Sequence, residues 1–101
     1  MSTRRPSLEE LKTALQLACQ PTSAHLIVDG RNKVLAFPRE WVLENIESAA
    51  MNSLDLSDYW EFRRLLELAK LLDAALLQRI VALGLASSDS ELLEAGQDFQ
   101  R

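Results

Sequence analysis

The chain has 101 residues, of which 48% are hydrophobic and 26% are charged. This composition is typical of one globular domain and differs from that of disordered or membrane-embedded chains. The formal net charge is −4, so a phosphate backbone would be repelled overall and nucleic acid is disfavoured as a partner. No apolar run approaches the roughly 18 residues of a membrane-spanning helix, and no secretory signal is visible. We therefore expect a cytoplasmic protein with no membrane partner.

The first predicted element is a helix with a capping box at its start. Ser7 and Glu10 have the spacing at which a serine oxygen and a glutamate each satisfy a free amide at a helix N-terminus. Apolar residues recur behind them at helical spacing until Pro21, which cannot continue a helix. The pattern predicts a helix from Leu8 to Gln20, with Cys19 in its last turn.

A β-hairpin is predicted next, in the segment AHLIVDGRNKVLAFP. Two short apolar runs, residues 26–28 and 34–37, flank a group that contains Asp29, Gly30 and Asn32. These residue types tolerate the positive φ angles of tight hairpin turns. A lone two-stranded ribbon is marginal in water. We therefore expect residues 24–37 to pack on the first two helices and to leave one strand edge open.

The rest of the chain predicts four helices. The first covers residues 38–51, with Pro38 at the first helical position. The second covers residues 58–73, with Asp55 or Ser57 as its cap and a broad apolar stripe. A break near Asp73 keeps the apolar stripe in phase, so residues 74–83 form a third helix with Gly84 as the left-handed residue after it. Ser88 and Glu91 repeat the capping-box spacing and open the last helix.

These elements together predict an α+β fold that is predominantly α-helical. One β-hairpin, at about residues 24–37, packs with about five helices in a single domain that spans residues 1–101. Residues 1–6 and 99–101 are expected to be frayed tails.

The segment LLDAALLQRIVALGLASSDSELLEAG has two closely joined helices and a third opened by a Ser/Asp cluster. This arrangement is similar to one unit of a HEAT-like helical repeat. Repeat stacks generally need about three units to bury a continuous core, and the sequence shows no second copy. We therefore assign no family, and whether the helix pair of residues 58–85 belongs to a repeat family stays open.

The residues that usually carry chemistry are scarce. His25 is the only histidine and Cys19 the only cysteine, so neither a histidine pair nor a cysteine-based zinc site can form. A thiolate is disfavoured at the negative end of a helix dipole, which predicts that Cys19 is a packed, inert thiol. The three glycines are too far apart in sequence for a phosphate-binding loop. We therefore predict no catalytic residue, no metal ligand and no cofactor.

The best candidate for a binding site lies on the predicted helix of residues 58–73. Trp60 and Leu71 fall among its charged residues, away from the apolar stripe. Aromatic and arginine side chains dominate the binding energy of protein interfaces. We predict a protein interface formed by Tyr59, Trp60, Arg63, Arg64 and Leu71.

The function that these observations favour is a small acidic interaction module that binds another protein. A bacterial regulator or a toxin-neutralising, immunity-type protein is one concrete form, with a basic protein as its partner. Self-association through the open hairpin edge is the other predicted contact. An enzyme accessory subunit, or a small enzyme with an unrecognised site, is the first alternative. A nucleic-acid binder, with Arg63 and Arg64 on phosphate, is the second.

Overall fold

The structure, a computed structural model, describes residues 6–20 and 22–100. In this part of the chain it consists of helices joined by short loops. The six helices are α1 (Leu8–Ala18), α2 (Ala24–Ala36), α3 (Arg39–Ser53), α4 (Tyr59–Leu72), α5 (Ala74–Leu85) and α6 (Ser90–Asp98). Helices account for 79% of the described residues, which contain no strand. The fold is therefore all-α, and the predicted α+β class is wrong. Pro21 and the outermost predicted tail residues, 1–5 and 101, lie outside the described ranges.

The segment that was predicted to be the hairpin forms α2. Ser23 caps this helix, and its hydroxyl accepts a hydrogen bond of 3.4 Å from the Leu26 amide. Ile27, Gly30 and Val34 are buried at helical spacing. With no strand in residues 24–37, there is also no strand edge, so the predicted self-pairing through a hairpin edge is wrong.

Gly30 lets α2 lie directly against α1. A Cβ atom added at Gly30 would stand 2.3 Å from the backbone nitrogen of Ala18 and 2.8 Å from its Cα atom. The two helix backbones therefore touch where they cross. Gly30 is not a turn residue, and no described residue has a positive φ angle.

The other predicted helices are confirmed, with changes at their ends. The Ser7 hydroxyl accepts a hydrogen bond from the Glu10 amide at 3.1 Å, as the capping box predicts. Asp73 separates α4 from α5 and serves as the C-cap of the first and the N-cap of the second. Asp58, rather than Asp55 or Ser57, caps α4, because its carboxylate accepts hydrogen bonds from two amides of the first turn.

The predicted start of α6 and the predicted end of α5 need small corrections. Asp89 caps α6 in place of Ser88. Gly84 lies inside α5, where α6 crosses it. An added Cβ atom at Gly84 would stand 3.2 Å from the Cα atom of Gly96 and 2.9 Å from the ring of Phe62. Gly84 therefore serves close helix packing and not a left-handed helix end.

The helices form an elongated body that measures 49 × 27 × 22 Å. Helix α1 packs on α2, α3 and α4, while α4, α5 and α6 pack on one another. A single hydrophobic core runs through both groups and is built mainly of leucine and alanine. Arg39 joins the groups by donating to the carbonyl of Leu72 at 3.1 Å and to the Asp73 carboxylate at 2.9 Å. Within the described ranges, no helix combines the length and the apolar character that crossing a bilayer requires.

Candidate protein-binding face

The five predicted interface residues lie on two different sides of α4. Arg63 turns toward α6, and its guanidinium also donates to the hydroxyl of Tyr59 at 3.3 Å. The guanidinium of Arg63 donates to the Asp98 carboxylate at 3.0 Å and lies 5.2 Å from the ring centre of Phe99. The hydrogen bond to Asp98 raises the pKa of Arg63 above its ordinary value. Arg63 therefore helps to hold α6 in place.

Trp60, Arg64 and Leu71 lie on the other side of α4. Trp60 is 48% exposed and Leu71 is 56% exposed. The Arg64 guanidinium lies 5.3 Å from the centre of the Trp60 ring, and the Tyr59 ring meets Trp60 edge-on at 5.1 Å. Trp60 is thus supported from two sides while much of its ring faces solvent.

Helix α2 supplies a further arginine to this side of α4. Arg31 donates to the carboxylate of Glu67, and Arg64 donates to both oxygens of the same carboxylate at 3.0 and 2.9 Å. All three side chains are about three-quarters buried. One carboxylate therefore stands between two guanidinium groups, and the cluster has a net charge of +1.

An apolar depression adjoins this cluster. It has a volume of about 90 Å³, and its walls include Leu35 and Phe37 from the α2 side and Leu71 from α4. Leu35 follows Arg31 by four residues, as Leu71 follows Glu67, so the depression lies one helical turn beyond the Arg31–Glu67 ion pair on both helices. We use the term α2/α4 face for the surface formed by Arg31, Leu35, Trp60, Arg64, Glu67 and Leu71.

The sequence prediction missed the α2 half of this face. Arg31 and Leu35 fall within the predicted hairpin of residues 24–37. In the helix, Val28, Arg31 and Leu35 recur at spacings of three and four residues, and the two apolar members are exposed. This spacing was the available signal, and the turn-like residues around Gly30 concealed it.

Other surface features offer weaker sites. A larger depression of about 580 Å³ lies between α1 and α2. Glu9 and Lys33 on its wall are already in ion pairs, with Lys12 and Asp29 respectively. The described residues contain no group of three or more histidine, cysteine or acidic side chains placed to hold a metal ion.

Cys19 lies at the end of α1 and is completely buried. Burial, and to a smaller extent the nearby carboxylate of Glu61, raises the pKa of Cys19 to about 12. The thiol therefore remains protonated throughout the physiological pH range.

We expect the Cys19 thiol of the native protein to react with Ellman's reagent at pH 8 at least about a hundredfold more slowly than a free thiol, because the thiolate is the reactive form. The rate should keep rising with pH up to about 10, well below the raised pKa. The absorbance of the released thiolate dye measures this rate. The same protein in guanidinium chloride is the control and should react rapidly. Equal rates for the native and denatured chains would contradict the buried position.

Relatives give no independent guide to the α2/α4 face. Its definition depends on the exposure of its apolar side chains and on the contacts among its charged ones. No family model, no curated protein and no solved structure matches the chain.

Proposed function

We propose that the protein is a helical interaction module that binds another protein through the α2/α4 face. The observation that carries this proposal is the position of Trp60. It is the one exposed aromatic side chain among the six of the sequence, all of which the structure describes. Tryptophan and arginine are enriched among the residues that dominate binding energy, and here both types lie together.

The supporting contacts favour a preorganised surface. Tyr59 and the Arg64 guanidinium restrict the Trp60 ring, and Glu67 fixes both arginines in position. Side chains that are already ordered lose less conformational entropy when a partner binds. Leu35 and Leu71, 47% and 56% exposed, extend the apolar area beyond the tryptophan.

The proposal assigns no reaction to the protein. A regulator or a toxin-neutralising protein is a form that such a module can take. The local charge changes the expected partner: the overall charge of −4 favours a basic protein, whereas the α2/α4 face is itself positive. The contact surface of the partner should therefore be apolar and not basic.

Site-specific photo-crosslinking in the native host tests this function. We expect benzoylphenylalanine at position 71 to crosslink the partner efficiently. The same amino acid at position 83 is the matched control, because Leu71 and Leu83 are both exposed leucines. Leu83 lies one turn after Arg79, which pairs with Glu47 of α3, so it faces a different side. Crosslinks that form equally from both positions, or only from position 83, would refute the assigned face.

A further inference from the structure

We propose that the segment that docks on the α2/α4 face is an amphipathic helix that carries carboxylates beside its apolar side chains. This inference rests on the function proposed above and names the chemistry of the partner. Three features support it: the hydrogen-bonding capacity that the two arginines leave unused, the net positive charge of the arginine cluster, and the spacing of the exposed apolar side chains.

The arginines have more donors than Glu67 can satisfy. Arg31 reaches Glu67 through Nη2, and Arg64 reaches it through Nη1. Each guanidinium has five N–H donors. Within residues 6–20 and 22–100, nothing accepts from Nη1 of Arg31 or Nη2 of Arg64, whereas the Nε groups of both arginines also lack an acceptor but are too deeply buried for a docking partner to reach. A second carboxylate would therefore find unpaired donors on both arginines, and guanidinium groups bind carboxylates in strong, charge-assisted hydrogen bonds.

The charge balance favours the same ligand. Two arginines and one glutamate give the cluster a charge of +1, and one added carboxylate would make it neutral. A basic segment would instead place a third positive charge beside two guanidinium groups that are about three-quarters buried. Like charges in such a position repel strongly because they are only partly solvated.

The apolar side chains set the length of the partner segment. Trp60 and Leu71 are eleven residues apart on α4, which corresponds to about 16 Å along the helix axis. The arginine cluster lies between them. A docking helix would place one apolar residue near each end, at positions i and i+11, and a carboxylate between them at i+4 or i+7. These positions share one side of a helix.

The groove favours a helix over an extended peptide. The described residues contain no strand, so no sheet edge is available there for an added strand. Grooves between helices typically accept the apolar side of another helix. A nucleic acid fits less well, because exposed leucines lie beside the arginines and the whole chain is negative.

A displayed library of 18-residue helical peptides tests the inference. Apolar residues are fixed at i and i+11, and the positions i+4 and i+7 are varied among Glu, Gln and Lys. With the parent protein as bait, we expect Glu to be enriched over Lys at one of these positions by at least about tenfold. Synthetic Glu peptides from the selection should shift the amide resonances of Arg31, Leu35 and Leu71 in nuclear magnetic resonance spectra.

Two variants identify the source of the preference. Arg64→Gln removes one charge from the face and leaves the pair of Arg31 with Glu67 intact, so the Glu preference should fall at least about fivefold. Lys70→Gln is the matched control, because Lys70 lies on the same helix but lines a depression with Arg63 and Phe99 on the α6 side. The Lys70→Gln variant should prefer Glu in the peptides to the same degree as the parent protein. Thermal melting checks that both variants are folded.

The possible outcomes separate this inference from the function on which it rests. If Lys or Gln is enriched and the resonance shifts still fall on the α2/α4 face, the acidic partner is refuted and the binding face stands. If no sequence is enriched, or if the shifts fall elsewhere, both proposals are refuted. Tighter binding of a short RNA to the face than of any selected peptide would likewise overturn both.

Discussion

Gly30→Ala should destabilise the protein by at least about 3 kcal/mol, at the upper end of the range for overpacked interiors. The new methyl group would stand 2.3 Å from a backbone nitrogen of α1, which cannot move aside as a flexible side chain could. The helices would have to separate along the whole crossing. The gain of about 1 kcal/mol in helix propensity from alanine is too small to offset this loss. Urea or thermal denaturation followed by circular dichroism measures the change.

The control for this prediction is Asn32→Ala, two residues further along α2. Asn32 is exposed, so the change should raise the stability slightly through helix propensity, by less than about 1 kcal/mol. Gly96→Ala gives a third comparison, because its nearest contact would be at 3.1 Å and needs only a small adjustment. If Gly30→Ala were as stable as the parent, the direct contact between the α1 and α2 backbones would be refuted.

The same contact explains why the sequence misled the prediction of α2. Asp29, Gly30 and Asn32 resemble a hairpin turn when only their neighbours in the chain are considered. The helix is favoured by a contact with Ala18 of α1, which is distant in sequence. The backbone of Ala18 lies so close to Gly30 that only a residue without a side chain fits there. Tertiary packing of this kind routinely outweighs local propensity.

Elements whose signals are local were predicted correctly. The Ser7 hydroxyl bonds the Glu10 amide within the first turn of α1, and Asp73 interrupts the chain where the apolar stripe goes out of phase. Both depend on residues within one or two turns. The N-caps of α4 and α6 lie one to three residues after the predicted ones, because each helix is preceded by several residues that can cap a helix and the sequence does not rank them.

The candidate face was half predictable for a similar reason. The helical projection of α4 places Trp60 and Leu71 outside the apolar stripe, which the structure confirms by their exposure. The helical projection cannot show which neighbouring helix each polar residue of α4 contacts. Arg63 pairs with Asp98 of α6, whereas Arg64 pairs with Glu67 of its own helix. Contacts between distant segments therefore decide that Arg64 belongs to the face and Arg63 does not.

Trp60→Ala should weaken binding of the protein partner by about 2 kcal/mol or more, which corresponds to roughly a thirtyfold higher dissociation constant. The ring is 48% exposed and lies outside the hydrophobic core, so its removal should cost only about 1 kcal/mol of stability. This small cost comes from the edge-on contact with Tyr59 and the contact with the Arg64 guanidinium. Calorimetric titration and thermal melting measure the two effects separately.

The loss of affinity of Trp60→Ala, compared with its loss of stability, distinguishes a tryptophan that binds the partner from one that only packs locally. A locally packed tryptophan would lose several kcal/mol of stability on truncation, and binding would change only through unfolding. Leu71→Ala should also weaken binding, because Leu71 lies on the same side of α4, with a smaller loss that reflects its smaller side chain. Leu83→Ala removes another exposed leucine, one turn after the Arg79 that pairs with Glu47 of α3, and should leave the affinity unchanged. If the Trp60 and Leu71 variants bound as tightly as the Leu83 variant, the α2/α4 face would not be the docking site.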